Sequence, residues 1–222
     1  MAGTAEEDDP GIASDPRAGL EPVPARVRLL LLRGRQGVTL GSALSRRPEV
    51  VERIRRVPGL GVVRLSPIGG TVGPQGENWL GLAGVAGIPE ACPRPLDRLT
   101  GAVRAFLEDR LQPFAVELRP GRVAGAWCPG FSDLSWGGRK LVGLGFRLSA
   151  RQGLIRGAVA VRPPGPAELR ALDLCHLTFG PGVDPRSLVS LAEIPGLETV
   201  DREGAIRLLG GGPSGAAEKM RR

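Results

Sequence analysis

The sequence predicts an α/β chain of the α+β kind, a mixed and largely antiparallel sheet packed with helices. Short apolar segments recur at 28–33, 38–41, 61–65, 79–85, 141–148 and 153–161, each of strand rather than helix length. Three or four separated helical stripes interrupt them, the clearest from Pro95 to Leu111. The length, 222 residues, suits one domain, and an apolar share of 41% is enough to give it a core and to set it apart from disordered chains.

Taken in order, residues 1–25 are rich in Pro, Gly, Asp and Ala and read as a flexible N-terminal arm; 26–209 read as the folded domain and 210–222 as a flexible tail. The Leu run of Arg28–Arg33 and the segment Val38–Gly41 suit strands buried on two faces. Pro48 opens a helix at the position where its missing N–H costs nothing. Val50, Val51, Ile54 and Val57 share one of its faces, and Pro58-Gly59 ends it. A strand over 61–65 leads into a glycine-rich loop through Gly69, Gly70 and Thr71. Such a loop lets backbone amides approach an anion or carboxyl group closely. In the helix at Pro95–Leu111, Leu96, Leu99, Val103, Phe106, Leu107 and Leu111 form a core-facing stripe. Phe114–Leu118 and Arg122–Ala126 read as two further strands. Gly143 and Gly145 share one face of the strand at 141–148 and leave room there for a ligand or for a closely packed element. A return strand follows at 153–161, then short helices at 167–176, 188–192 and 201–209. The only histidine, His176, follows Cys175, and neighbouring side chains on a helix point apart, so adjacency makes no dyad and His176 reads as structural.

Charge narrows the function classes. A net +7 favours an acidic partner. No Lys/Arg run carries interleaved aromatics, which argues against nucleic acid. Cys92, Cys128 and Cys175 are spaced as neither a metal site nor a disulfide framework, and no metal is expected. Unpaired thiols fit a reducing, cytoplasmic setting. The acidic start at Glu6, Glu7, Asp8 and Asp9 is unlike a signal peptide. No run approaches the roughly 20 apolar residues of a membrane span, so no membrane role is expected.

The stretch from Ala126 to Arg147 carries the chemistry. Cys128 sits in a Pro-Gly turn, Asp133 follows, and the turn Gly137-Gly138 leads through Arg139 to Lys140 at the opening of a strand. Of 30 basic residues only Lys140 and Lys219 are lysines, so arginine serves wherever charge alone is needed. An ammonium is a compact point charge and does not replace a guanidinium at a reaction centre. A cysteine near a fixed ammonium has its thiolate, the nucleophilic form, favoured. A loop and hairpin bridge the twelve residues between them.

Cys-Pro-Gly-x-x-Asp-Leu followed by Gly-Arg-Lys-x-x-Gly resembles the lipoyl/octanoyl transferases and lipoate-protein ligases, which share a catalytic domain with biotin protein ligases. The cysteine ahead of the lysine motif is most similar to the cysteine-dependent octanoyl transferases. The resemblance implies the biotin/lipoyl-ligase architecture and acyl transfer, in which Cys128 carries an octanoyl or lipoyl group as a thioester and Lys140 positions the acyl carbonyl. It also implies substrate-binding roles for Arg64, Gly69, Gly70, Thr71, Asp133, Gly138, Arg139, Gly143 and Gly145. The acceptors implied are lipoyl-domain proteins, including the H protein, and a second subunit is possible in some relatives. No cofactor is required in this reading. ATP enters only if the chain is a ligase, and a non-catalytic relative is the third alternative. The glycine-rich loop departs from the family's Arg-x-x-Gly-Gly pattern, because only Arg64 precedes the glycines, two extra residues intervene and no histidine follows. Arg156-Gly157 stands where ligases often carry His-Gly.

Overall fold

The computed structural model describes residues 28–66, 72–89, 92–149, 151–176 and 182–210. The expected arm at 1–25, the loop residues Gly69, Gly70 and Thr71, and the tail beyond Gly210 lie outside the described residues.

The larger of two sheets has six strands, every neighbouring pair antiparallel. Its order is β1 (Arg28–Leu32), β5 (Trp79–Gly87), β9 (Gln152–Ala160), β8 (Arg139–Leu148), β7 (Leu134–Trp136) and β6 (Arg119–Pro120). The smaller sheet has β2 (Gly37–Leu40) at its centre, parallel to β3 (Val62–Leu65) and antiparallel to β4 (Val72–Gln75). The mixed, largely antiparallel α+β fold read from the sequence is the fold observed.

Each sheet has its own core. The helix α3 (Pro95–Leu111) starts with proline at its first turn and lays Leu99, Val103 and Leu107 against Leu82, Ile155 and Val159 of the large sheet. Each such side chain contributes about 1.5–3 kcal/mol on burial. The helix α5 (Arg202–Gly210) closes the same core with Leu208 and Leu209. The short α1 (Ser42–Ser45), α2 (Pro48–Arg55) and α4 (Pro166–His176) cover the small sheet, packing Leu44, Val50, Ile54, Ala171 and Cys175 on Val38 and Leu40. Glu168, 1% exposed, ties the two halves together. Its carboxylate accepts hydrogen bonds from Gln36 Nε2 (2.9 Å) ahead of β2, from Asn78 Nδ2 (2.9 Å) in the β4–β5 turn and from the Gly165 backbone N–H (2.7 Å).

Several sequence expectations are corrected. β1 is not buried on both faces: it forms the edge of its sheet and leaves Leu30 64% exposed. Phe114 ends a 3₁₀ turn (Gln112–Phe114), and Arg122–Ala126 forms turns, so neither stretch is a strand. The apolar side chains there fill loop pockets: Val116 and Leu118 are buried in the core that α3 covers, and Val123 in the cluster of Trp79 and Trp127. The helix expected at 188–192 is two 3₁₀ turns, Pro185–Ser187 and Leu191–Glu193, flanking extended residues. Leu188 bridges to Lys140 of β8, and the Val189 N–H donates to the Lys140 carbonyl, so tertiary pairing overrides the local helical pattern. Gly210 ends α5 and does not begin the tail.

Candidate active site

The β7–β8 hairpin turns on Gly137 and Gly138, at φ of 58° and 75°. Trp136 faces Arg139 across this two-residue loop, which therefore needs positive φ at both positions. Leu134 then faces Val142 while Ser135 faces Lys140, so Leu141 is an extra residue on β8. A bulge of this kind re-aims side chains. It brings Lys140 onto the same side as Gly143, where a Cβ at Gly143 would lie 3.1 Å from the Trp127 ring and 3.3 Å from Lys140 Cε. The bare face of Gly143 thus accommodates two side chains of the protein itself.

Lys140 is 1% exposed. Its ammonium donates to the Trp127 carbonyl (2.7 Å), to Asp133 Oδ2 (2.7 Å) and, at 3.3 Å, to the Cys128 carbonyl, and it lies 4.0 Å from the Trp127 ring centre. Three N–H groups therefore meet three protein acceptors. A ligand carbonyl reaches the ammonium only by displacing one of them, and the bond to Cys128 is the longest. Asp133, equally buried, also accepts from the backbone N–H groups of Gly130 (2.7 Å) and Leu144 (3.2 Å). Burial pushes its carboxyl above the ordinary value, against the pull of Lys140 and those two amides.

These bonds fix the loop that carries Cys128. Its carbonyl and that of Trp127 are both tied to Lys140, and the residue is held at φ 43°. A side chain at positive φ is strained by its Cβ, and such strain persists where the surrounding structure over-determines it. Cys128 is half-buried and is among the residues that line a cavity of about 680 Å³, open mouth included. Cys175 differs. It is buried in the small-sheet core, and burial, with Cys128 nearby, pushes its thiol up to about 12, so it stays protonated and inert. His176 closes α4, with its pKa lowered by burial and by the charge of Lys140 against the pull of Asp173.

The cavity lies at the seam of the two sheets. Thr39 and Pro74 come from the small sheet and Gly41 from the step between β2 and α1, Gly81, Leu82, Leu144 and Ala158 from the centre of the large sheet, and Leu32 from its edge. Its charged lining residues are Asp133, Lys140 and Arg156.

Of the residues expected at the site, Cys128, Asp133, Lys140, Gly143 and Gly145 converge on this cavity. Arg64 is exposed one step away: its Nη1 donates to Gln75 Oε1 (2.9 Å), Gln75 donates on to Thr39 (2.8 Å), and both of those line the wall. Gly138 and Arg139 do not line it. Gly138 serves the turn, and Arg139 binds Glu193 (2.6 Å) and the Arg186 carbonyl (3.1 Å). Gly69, Gly70 and Thr71 lie outside the described residues. Sequence reading missed Trp127, Thr39 and Gln75 as wall residues, and no local motif marks them. Among the described residues no three His, Cys, Asp or Glu side chains gather as metal ligands would, and no helix is long and apolar enough to cross a membrane.

No protein-family model and no curated protein matches the sequence. Solved structures do match in three dimensions. A Thermoplasma acidophilum protein assigned as a lipoate protein ligase, with bound lipoic acid, superposes with a TM-score of 0.57 at 12% identity, over 82% of this chain and 69% of its own. The fold is that of the lipoate-protein ligase catalytic domain. A lipoate-protein ligase A bound with ATP shares this ligase fold with a TM-score of 0.56 at 12% identity, over 82% of this chain and 69% of that one. The bipartite lipoate protein ligase of Thermoplasma acidophilum, studied with its E2 lipoyl domain, gives 0.53 at 12% identity, over 82% and 68%.

Proposed function

We propose that the chain is an acyl transferase of protein lipoylation, moving an octanoyl or lipoyl group onto the lysine of a lipoyl domain through a thioester on Cys128. The observation that carries this reading is the strained Cys128 in the cavity wall, with the carbonyls on either side of its Cα held by Lys140. The apolar wall of Leu32, Leu82, Leu144 and Ala158 suits a medium-length chain.

In the first step Cys128 Sγ attacks the acyl carbon. The S–C bond forms, the bond from the acyl carbon to the donor's sulfur or nitrogen breaks, and the thiol proton leaves with the donor. In the second step the neutral amine of the acceptor lysine attacks the thioester carbon, the S–C bond breaks, and a proton returns to sulfur. Lys140 serves first as a positioning residue for the Cys128 loop. By exchanging its longest bond it is also able to polarise the acyl carbonyl. The net +7 charge suits an acidic acceptor domain, and this chemistry uses no cofactor.

Intact-mass spectrometry after incubation with an octanoyl-loaded lipoyl domain is expected to show one added octanoyl group on the wild type and none on Cys128→Ser. An adduct that survives in Cys128→Ser would overturn the assignment.

The second reading is an ATP-dependent ligase, favoured by fold neighbours that hold lipoic acid or ATP. It forms no thioester and releases pyrophosphate from ATP in the presence of free lipoate, which the transferase does not. The bipartite neighbour extends both readings to a chain that acts with a second subunit.

A further inference from the structure

Two of the chain's three tryptophans meet beside the thiol loop. Trp79, at the start of β5, and Trp127 pack with ring centres 5.2 Å apart and planes at 78°, an edge-to-face arrangement that aromatic rings favour. Both are buried, and Ala158 of β9 and Leu172 of α4 share their cluster. The Trp79 indole N–H makes no hydrogen bond among the described residues, so packing rather than a polar tie holds the pair. Gly143 leaves the space that Cζ2 of Trp127 takes: a Cβ there would lie 3.1 Å from it. The Trp127 ring is therefore fixed by neighbours from both central strands and a helix.

Trp127 meets the Lys140 ammonium twice. Its carbonyl accepts a hydrogen bond at 2.7 Å, and its ring centre lies 4.0 Å from Nζ. The two contacts tolerate movement differently. An N–H···O bond is directional and is formed at about 2.7–3.2 Å. A ring face attracts a cation out to about 6 Å from its centre, and indole does so best of the aromatic side chains. The bond to the Cys128 carbonyl, at 3.3 Å, is already at its limit, whereas the ring contact leaves the ammonium about 2 Å of travel. Burial strengthens that attraction, since little water competes for the charge.

We propose that Trp127 is a positioning residue: its ring is the fixed partner on which the Lys140 ammonium turns as it trades the Cys128 carbonyl for the acyl carbonyl. The inference rests on the reading of Lys140 as the group that polarises that carbonyl. During the exchange one N–H leaves a protein acceptor before it reaches the new one. The ring holds the charge through that interval, and the bonds to Asp133 and to the Trp127 carbonyl set its direction.

The test places fluorinated tryptophans at position 127 alone in the full chain. Each added fluorine draws electron density from the ring face and weakens its pull on a cation, with little change in size. The rate of Cys128 adduct formation from an octanoyl-loaded lipoyl domain is expected to fall stepwise along the fluorine series, by about tenfold in all. The half-saturating donor concentration and the melting temperature are expected to stay put, a split that a purely structural ring would not produce. Trp127→Phe, which keeps a ring face, is expected to retain more of the rate than Trp127→Leu. The chain has only two lysines, so labelled lysine in a Lys219→Arg background reports Lys140 by nuclear magnetic resonance without any turnover. Its side-chain proton signals are expected upfield, shifted by the ring, and at ordinary lysine values in Trp127→Leu. A rate that stays flat across the fluorine series would overturn the proposal, as would ordinary Lys140 signals in the wild type. Shifted Lys140 signals in a wild type that forms no adduct at all would uphold the ring contact and count against the acyl reading instead.

Discussion

Two buried polar centres hold this molecule together, and they differ in what they face. At Glu168 one carboxylate takes three neutral donors, two side-chain amides and one backbone N–H, and fastens the two sheets. At Lys140 an ammonium faces a carboxylate, two carbonyls and an aromatic ring, all within the wall of a cavity. Both are 1% exposed, so burial alone does not separate a tie from a site. What separates them is the company: of the two, the Lys140 centre adjoins open volume and fixes a strained residue that carries a thiol.

Breaking each centre tests that distinction, and the largest effect belongs to the charged one. Lys140→Met leaves the Asp133 carboxylate buried without its cation and is expected to cost about 3–5 kcal/mol by urea denaturation. Adding Asp133→Leu is expected to restore most of that stability without restoring acyl transfer. A single variant as stable as wild type would mean that the pair is no structural centre. Glu168→Ala, which strands three donors, is expected to cost about 2–4 kcal/mol. Its folded molecules should still form the Cys128 adduct at the wild-type rate, and a slowed adduct would merge the two centres into one.

Cys128→Gly sharpens the comparison from the other side. Glycine accepts positive φ without penalty, so the variant is expected to gain about 1 kcal/mol in thermal unfolding while losing the adduct. A loss of stability would show that the side chain is packed rather than strained. The smallest effect is expected at Glu193, which bonds Arg139 and Ser190 and takes no part in either centre. Burial pushes its carboxyl up, but the hydrogen bonds from Arg139 and Ser190 and the Arg139 charge outweigh it and hold the carboxyl below its ordinary 4.5. A depressed carboxyl binds fewer protons in the folded chain than in the unfolded one, so its contribution is complete above about 4.5 and fades as pH falls below that. Glu193→Gln should therefore melt below the wild type at neutral pH, and the gap should close on acidification.

Much of this was legible in sequence, for identifiable reasons. Helix α3 announced itself through proline at its start and a long apolar stripe, and β8 and β9 through apolar runs bounded by glycine. Cys128 and Lys140 stood out by residue type and spacing alone. The state of Lys140 did not, because two of its three acceptors are backbone carbonyls, which every residue carries, and because the bulge at Leu141 leaves no compositional mark. The small sheet was half hidden: β4 contains Gly73 and Pro74 and reads as loop, yet it pairs fully with β2. Arg139 and Gly138 lie close to Lys140 in sequence but not on the cavity, since consecutive residues of a strand point to opposite faces and Gly138 belongs to the hairpin turn.

The seam position of the cavity gives its occupant leverage over folding. Its walls belong to two sheets, joined elsewhere by the bonds of Glu168 and by the packing of Leu172 of α4 on Trp79 and Ala158. A ligand spanning the seam is lost when either core opens, so mass action charges both events alike, with about 2.7 kcal/mol added at a concentration one hundred times Kd. Loading the pocket thus ties the opening of the small-sheet core to that of the large one.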